Sequence, residues 1–181
     1  MPQSNIADLH RLVWLALCAA LMAVGSYVSI PVGAVPFTMQ TFFVMLAGLI
    51  LGPVRAPLAA ALFVAAGLLG LPIFVGGRSG LAVLLGPTGG YLFGYILAAA
   101  AIGAGSMGRP DARVLRLGLA VLAGLVCIYL PGVVQLKLVL AFDWPKALAV
   151  GFAPFILWDI IKAVLAVVTY RFLAARRLLP R

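Results

Sequence analysis

The chain has 181 residues, of which 65% are hydrophobic and only 9% are charged, and its mean hydropathy is +1.21. Soluble domains carry about 45–50% apolar and about 25% charged residues, so the composition excludes a soluble protein and indicates an integral membrane protein. The net charge of +9 is spread over loops, which indicates topological charge and not a nucleic-acid surface.

The length fits one membrane domain, residues 1–181, with an all-α fold of six transmembrane helices at about 20 residues per span. Residues 12–54 carry no charge and are long enough for two spans, which Pro31 and Gly33 separate. Span two is short, so it is predicted to be tilted or to begin with a re-entrant segment. In chain order, the predicted spans are residues 12–30, 37–51, 57–69, 88–107, 117–136 and 147–170.

Two loops and a proline divide the second half of the chain. The loop of residues 70–86 contains five glycines but also leucine, phenylalanine and valine residues, so it is predicted to fold back over the membrane as a lid. Pro131 is predicted to kink span five, and residues 137–146 are predicted to form the loop before span six.

The distribution of basic residues predicts the orientation. With six spans, one side of the membrane receives nine basic residues and the other side receives three, Arg78, Lys137 and Lys146. Cytoplasmic loops carry the excess of lysine and arginine, so both termini are predicted to be cytoplasmic and the glycine-rich loop to be outside. The nine residues are Arg11, Arg55, Arg109, Arg113, Arg116, Arg171, Arg176, Arg177 and Arg181.

An acid and a base lie inside the last apolar segment. Of the four acidic residues, only Asp159 falls within a predicted span, and Lys162 lies three positions later, on the same helix face. Charges in the bilayer are costly and usually functional, so the pair is interpreted as the polar floor of a ligand site. The alternatives are a mutually neutralising pair that only holds helices together and a proton relay.

Two further motifs suggest ligand contacts. Residues 86–91, Gly-Pro-Thr-Gly-Gly-Tyr, place a helix N-terminus where free N–H groups favour an anion, although close helix packing by small residues explains them equally well. Residues 35–42, Val-Pro-Phe-Thr-Met-Gln-Thr-Phe, offer Phe37 for stacking and Thr38 and Gln40 for hydrogen bonds. The alternative for this motif is a capped helix start with aromatics facing lipid.

Span one carries two pairs of alanines at a spacing of four, Ala16 with Ala20 and Ala19 with Ala23. Small residues at this spacing let another helix approach closely. Internal packing and docking to a separate membrane protein both fit this pattern.

No enzyme, cofactor or metal site is predicted. The chain lacks a P-loop and a His-Glu-x-x-His motif, and the spans lack a Ser–His or Cys–His set. Cys18 and Cys127 are interpreted as buried thiols. The first apolar segment is longer than a signal-peptide core, so no cleavable signal peptide is expected.

Three stretches, residues 35–42, 76–95 and 154–163, resemble BioY, the family of biotin-binding S components of energy-coupling factor (ECF) vitamin transporters. The resemblance implies a multi-pass protein of the bacterial inner membrane with a biotin site near the outer face. It also implies partners, namely a transmembrane coupling protein and two ATPases. The small-residue face of helix one, with Ala16, Ala19, Ala20 and Ala23, is implied to contact the coupling protein.

Biotin has a ureido ring with two N–H donors and one carbonyl. The resemblance implies that Asp159 accepts from an N–H and that Lys162 donates to the carbonyl, or that Lys162 instead holds the carboxylate. The bicyclic ring would pack on Phe37, Tyr91 or Trp158, and the carboxylate would point to Arg78 or to backbone N–H groups near Thr88 and Gly89. Gln40 is a further candidate for hydrogen bonds to the ligand.

Two alternatives stay open at this stage. One is a self-sufficient biotin carrier, ion-coupled through Asp159 or acting as a homo-oligomer without ATPases. The other is a membrane scaffold without a ligand, which would tolerate neutralising Asp159 and Lys162 together.

Overall fold

The computed structural model describes residues 3–106 and 113–179. Met107, the predicted end of span four, lies outside these ranges, as do residues 108–112 of the predicted basic loop, with Arg109, and the C-terminal Arg181. The helices are α1 (Gln3–Tyr27), α2 (Gln40–Leu68), α3 (Leu81–Leu85), α4 (Gly89–Ser106), α5 (Val114–Leu140), α6 (Trp144–Gly151) and α7 (Ala153–Ala175), and the strands are β1 (Ser29–Ile30) and β2 (Phe37–Thr38).

The helix α2 folds back on itself at Gly52. This glycine has φ 74° and ψ −172°, a backbone conformation that side chains disfavour, and Pro53 follows it. A straight helix of this length would extend about 43 Å. Nevertheless Thr41, near its start, and Phe74, just beyond its end, line the same cavity. The element therefore consists of two antiparallel segments, residues 40–51 and 53–68, as the predicted spans two and three required.

Five helical runs of the described residues are long and apolar enough to cross a membrane, and the folded α2 supplies two crossings. The predicted all-α fold with six transmembrane helices is thus confirmed, while the cytoplasmic placement of the termini stays a prediction. The five runs are Asp8–Tyr27, Gln40–Leu68, Gly89–Ser106, Val114–Leu140 and Trp144–Ala175.

The boundary between spans five and six differs from the prediction. Helix α5 continues through Pro131 as far as Leu140, and only three residues separate it from α6. The prediction of a ten-residue loop at 137–146 was wrong because Lys137 and Lys146 were treated as loop signals. Asp143 instead caps α6 by accepting from the Lys146 N–H at 3.1 Å.

The predicted span six is likewise two helices, because the backbone leaves helical geometry at Phe152. Pro154 follows in the first turn of α7, where its missing N–H costs nothing. The break makes Asp159 the seventh residue of its helix, about 9 Å along the axis from the start of α7.

The short strands β1 and β2 form an antiparallel hairpin between α1 and α2. Ser29 pairs with Thr38 and Ile30 pairs with Phe37, and Gly33 has a positive φ of 85° in the connecting turn. The hairpin fixes the carbonyl of Thr38 at the entrance to α2.

The loop between α2 and α4 is tied to the bundle on two sides. Ser26 of α1 donates to the carbonyl of Ile73 at 2.6 Å. Gln135 of α5 donates to the carbonyls of Leu84 and Gly86 at 2.7 and 2.8 Å. These bonds hold the loop, with its short helix α3, against the helices that surround it.

The glycines of the 86–95 motif serve close helix packing. A Cβ on Gly94 would lie 2.7 Å from Ile128 Cα, and one on Gly90 would lie 2.2 Å from the Pro131 carbonyl oxygen. Side chains at these positions would separate α4 from α5. Of the two interpretations of the motif, packing is the one that the geometry of these glycines supports.

Candidate functional site

A cavity lies at the end of the bundle where the hairpin, the α2–α4 loop and the start of α7 meet. The loop contributes Phe74, Val75 and Val83 to its wall, and α7 contributes Phe155. Its polar lining comes from several different elements and consists of Thr38, Gln40, Thr41, Arg78, Thr88, Tyr91, Tyr95, Tyr129, Asp159 and Lys162.

The centre of the polar lining is the predicted pair. Asp159 is 3% exposed and Lys162 is 5% exposed, and their Oδ1 and Nζ atoms are 2.8 Å apart. A buried ion pair is stable only when its remaining donors and acceptors are satisfied. The neighbouring elements supply those partners.

The ammonium group of Lys162 uses all three of its donors inside the protein. Besides Asp159, it donates to the Thr38 carbonyl at 2.7 Å and to Thr41 Oγ1 at 3.1 Å. Its Nζ also lies 3.9 Å from the centre of the Phe37 ring. Lys162 is thereby fixed between α7, the hairpin and α2.

The carboxylate of Asp159 is held by three hydrogen bonds. Oδ1 accepts from Thr41 Oγ1 at 2.9 Å and from Lys162, while Oδ2 accepts from the Tyr129 hydroxyl at 2.5 Å. Each carboxylate oxygen offers about two acceptor positions. Oδ2 therefore keeps one acceptor position for a ligand donor.

Two of the predicted aromatic contacts are indirect. Phe37 packs edge-to-face with Trp158, with ring centres 5.9 Å apart, and neither ring lines the cavity. Trp158 is 53% exposed on the outer surface of α7. Phe37 acts on the site through Lys162, and Trp158 supports Phe37.

Gln40 lines the cavity at the start of α2 and is only 2% exposed. Its Oε1 accepts from the Tyr95 hydroxyl at 3.4 Å. Its amide nitrogen Nε2 is buried and has no hydrogen-bond partner within residues 3–106 and 113–179. Gln40 is therefore a predicted ligand contact with an unused donor in the cavity wall.

The residues predicted for the carboxylate end lie on the α2–α4 loop and at the start of α4. Arg78 is exposed, lines the cavity and donates from Nε to the Val75 carbonyl at 3.1 Å. Thr88 also lines the cavity. Gly89 lies outside the lining, and its N–H already donates to Gly86 O at 3.2 Å.

Tyr91 is a cavity residue with a second role. Its hydroxyl donates to the Gly151 carbonyl at 2.7 Å, which joins α4 to the end of α6. The ring is left as a wall of the cavity.

Sequence reasoning did not select Thr41, Tyr95 and Tyr129 as site residues. A signal for Thr41 was present, since it follows Gln40 at the start of an otherwise apolar helix. Tyr129 is 30 positions from Asp159 on another helix, and only the packing of α5 against α7 brings them together.

The alanines of α1 lie on two faces. Ala19 is 7% exposed in the core and Ala23 is half-buried, whereas Ala16 and Ala20 are exposed. Internal packing accounts for Ala19 and Ala23. Of the four alanines, Ala16 and Ala20 are the ones exposed to a partner helix.

Comparison with known proteins places this architecture in a family. The model of the BioY family matches residues 1–181. The biotin transporter BioY of Thermotoga maritima is 44% identical over 158 residues, which cover 87% of this chain and 92% of that protein. The biotin transporter BioY2 of Lactococcus lactis is 36% identical over 160 residues, covering 88% and 87%.

A solved structure has the same fold. The crystal structure of the S-component for biotin from an ECF-type ABC transporter superposes with a TM-score of 0.87 at 28% identity and covers 100% of both chains. Both the sequence and the fold match over the region that builds the cavity. The chain therefore belongs to the BioY family.

Proposed function

We propose that this chain is the biotin-binding S component of an ECF-type transporter in the cell membrane, and that it captures biotin in the cavity and delivers it inward with an ATP-driven coupling module. Its similarity to proteins named biotin transporters and to a biotin S-component supports this function. A transporter subunit of this kind has no catalytic residue.

The observation that carries the proposal is the buried pair of Asp159 and Lys162 in the cavity wall. Lys162 holds the carboxylate in place, and Oδ2 keeps one acceptor position. A ureido N–H is a neutral donor that fits this position. A ligand without such a donor would leave this acceptor position of Oδ2 buried and unsatisfied, and would therefore bind less tightly.

The remaining contacts follow from the shape of the cavity. The rings of biotin pack against Tyr91 and Tyr95, and its carboxylate points to Arg78 and Thr88 at the loop. The reverse arrangement, with Lys162 on the carboxylate, is less favourable because all three Lys162 donors already have acceptors.

The proposal extends to partners and topology. A transmembrane coupling protein packs on the exposed face of α1 at Ala16 and Ala20, and two ATPases supply energy. The termini are cytoplasmic, and residues 1–181 form a single domain in the lipid bilayer. A homo-oligomer stays a prediction.

The test is biotin binding to the detergent-purified protein by calorimetry. Asp159→Asn removes the charge that pairs with Lys162 and weakens the acceptor for the ureido N–H, so affinity is expected to fall about 100-fold. Asp143→Asn is the matched control, because Asp143 is an exposed helix cap and asparagine caps equally well. Unchanged affinity in Asp159→Asn would contradict the proposal.

The self-sufficient carrier makes a different prediction for uptake. An S component accumulates labelled biotin only in cells that also contain the coupling protein and ATPases. Uptake at the same rate in cells without them would favour the carrier.

A further inference from the structure

The side chain of Gln40 has a buried amide donor whose hydrogen-bond partner the ion pair does not supply. Buried polar groups in proteins nearly always have a hydrogen-bond partner, and an unpaired donor costs stability. Gln40 Nε2 is buried and has no partner in the described part of the chain, although the ion pair beside it is satisfied. It lies in the wall of the same cavity as Asp159.

Several hydrogen-bond donors of the cavity wall already have acceptors inside the protein. A ureido group presents a carbonyl oxygen as well as N–H groups, so its site must also supply a donor. Lys162 was predicted to be that donor, but its three N–H groups go to Thr38, Thr41 and Asp159. Tyr129 and Tyr95 donate to Asp159 and to Gln40.

We infer that Gln40 is the specificity-determining residue that donates from Nε2 to the carbonyl oxygen of the ligand, while Asp159 accepts from the ligand's N–H. The inference rests on the proposed function, because it assigns the ligand's ureido oxygen. Tyr95 is a positioning residue, since its hydroxyl holds Oε1 and so directs the NH₂ group away from itself.

The local structure supports this division of roles. Gln40 and Thr41 are consecutive at the first turn of α2, and both line the cavity. Thr41 bonds directly to Asp159 at 2.9 Å. The start of α2 therefore bears on both ligand positions: it carries the Gln40 donor directly, and through Thr41 it holds the Asp159 carboxylate of α7.

The experiment compares two ligands with two variants. The ligands are biotin and its analogue in which an imino group replaces the ureido oxygen, a cyclic guanidine that is protonated at neutral pH. The wild-type protein is expected to prefer biotin by about 100-fold or more, since a site built around a hydrogen-bond donor rejects a ligand that offers no acceptor.

Gln40→Met keeps the length of the side chain and removes both the Nε2 donor and the Oε1 atom that accepts from Tyr95. Biotin affinity is expected to fall about tenfold or more, and affinity for the guanidine analogue is expected to change less than about threefold. Gln40→Glu places a carboxylate acceptor at the same position, so it is expected to reverse the preference and bind the guanidine analogue more tightly than biotin.

Thermal unfolding of the unliganded variants separates binding from packing. Gln40→Met loses no hydrogen bond of Nε2 within the described residues and only the long bond from the Tyr95 hydroxyl to Oε1, at 3.4 Å, so its midpoint is expected to lie within a few degrees of the wild type. A midpoint lower by about 10 °C or more, an unfolded variant, or equal losses for both ligands would show a packing role and overturn the inference. Unchanged affinity for both ligands would also overturn it.

The outcome for the wild type distinguishes this inference from the proposed function. If the wild-type protein binds neither ligand, the proposed function fails. If it binds biotin and Asp159→Asn abolishes binding, but Gln40→Met and Gln40→Glu leave the ligand preference unchanged, only the role of Gln40 fails.

Discussion

The two ends of the helical bundle are built on different physical principles. At the cavity end, the polar side chains Thr41, Tyr129, Asp159 and Lys162 hydrogen-bond to one another around an open space. At the far end, where α2 folds back, small residues let the helices touch. Ile102 is fully buried there, and Cβ atoms on Gly48 and Gly124 would lie 2.7 and 2.4 Å from it.

The contrast shows how a small membrane protein combines stability with an internal cavity. In lipid, helices associate through close packing and not through a hydrophobic driving force. The far end supplies this packing with its glycines and alanines. The cavity end also has close contacts, between Gly90 of α4 and Pro131 of α5, but it adds a hydrogen-bonded ion pair that joins α7 to the hairpin and α2 around the opening.

The largest expected effect tests the far end. A Cβ on Gly103 would lie 2.4 Å from the backbone of Gly52, at the fold of α2. Gly103→Ala is therefore expected to destabilise the protein by about 2–3 kcal/mol and to lower Tm by roughly 5–10 °C, because the backbone cannot move aside. Differential scanning fluorimetry in detergent measures this shift.

Gly118→Ala is the matched control at the same end. Its Cβ would meet no described atom within 4 Å, and alanine favours the helix, so Tm is expected to stay equal or to rise. Biotin affinity of both folded variants is expected to remain within about twofold of wild type. A loss of biotin affinity in Gly103→Ala without a loss of stability would contradict the assignment of packing to the far end and ligand binding to the cavity end.

The far end is harder to predict from the sequence than the cavity. The intramembrane charges of Asp159 and Lys162 stand out in an apolar chain, so their positions in the sequence are enough to locate two residues of the cavity wall. The contact of Gly103 with the α2 fold depends on which helices are neighbours, and a glycine in an apolar run does not reveal its partner.

The remaining differences between the predicted site residues and the cavity lining have the same cause. Tyr129 resembles any interfacial tyrosine until α5 packs against α7, and Trp158 resembles a cavity residue because it precedes Asp159. On a helix, adjacent positions point about 100° apart. That rotation places Asp159 inside and leaves Trp158 facing lipid.

A smaller effect tests the cavity end. Tyr129→Phe removes the donor to Asp159 Oδ2 and keeps the ring against Phe152, 4.9 Å away. Affinity for biotin is expected to fall about tenfold, because the carboxylate loses the hydrogen bond that fixes the position of Oδ2 towards the ligand. Isothermal titration calorimetry measures the change.

Tyr170→Phe provides the comparison at the far end, where it removes the hydroxyl of another buried tyrosine. Its biotin affinity is expected to stay within about twofold of wild type, because Tyr170 lies on the last turns of α7, away from the cavity. Equal losses in both variants would mean that the bundle responds as a whole and that the two ends are not independent.

The smallest effect is expected at the mouth of the cavity. Arg78 is exposed, so water screens its charge, and ion pairs at such positions contribute about 0–1 kcal/mol. Arg78→Gln is therefore expected to weaken biotin binding only about threefold to fivefold. The loss should shrink as salt is added and should vanish for the carboxamide of biotin, which carries no charge for Arg78 to attract.

Arg55→Gln, at the α2 fold, is the control for net charge. A loss that is equal for biotin and its carboxamide would assign Arg78 to holding the loop through the Val75 carbonyl, and the anionic end of the ligand would then be recognised by Thr88 instead.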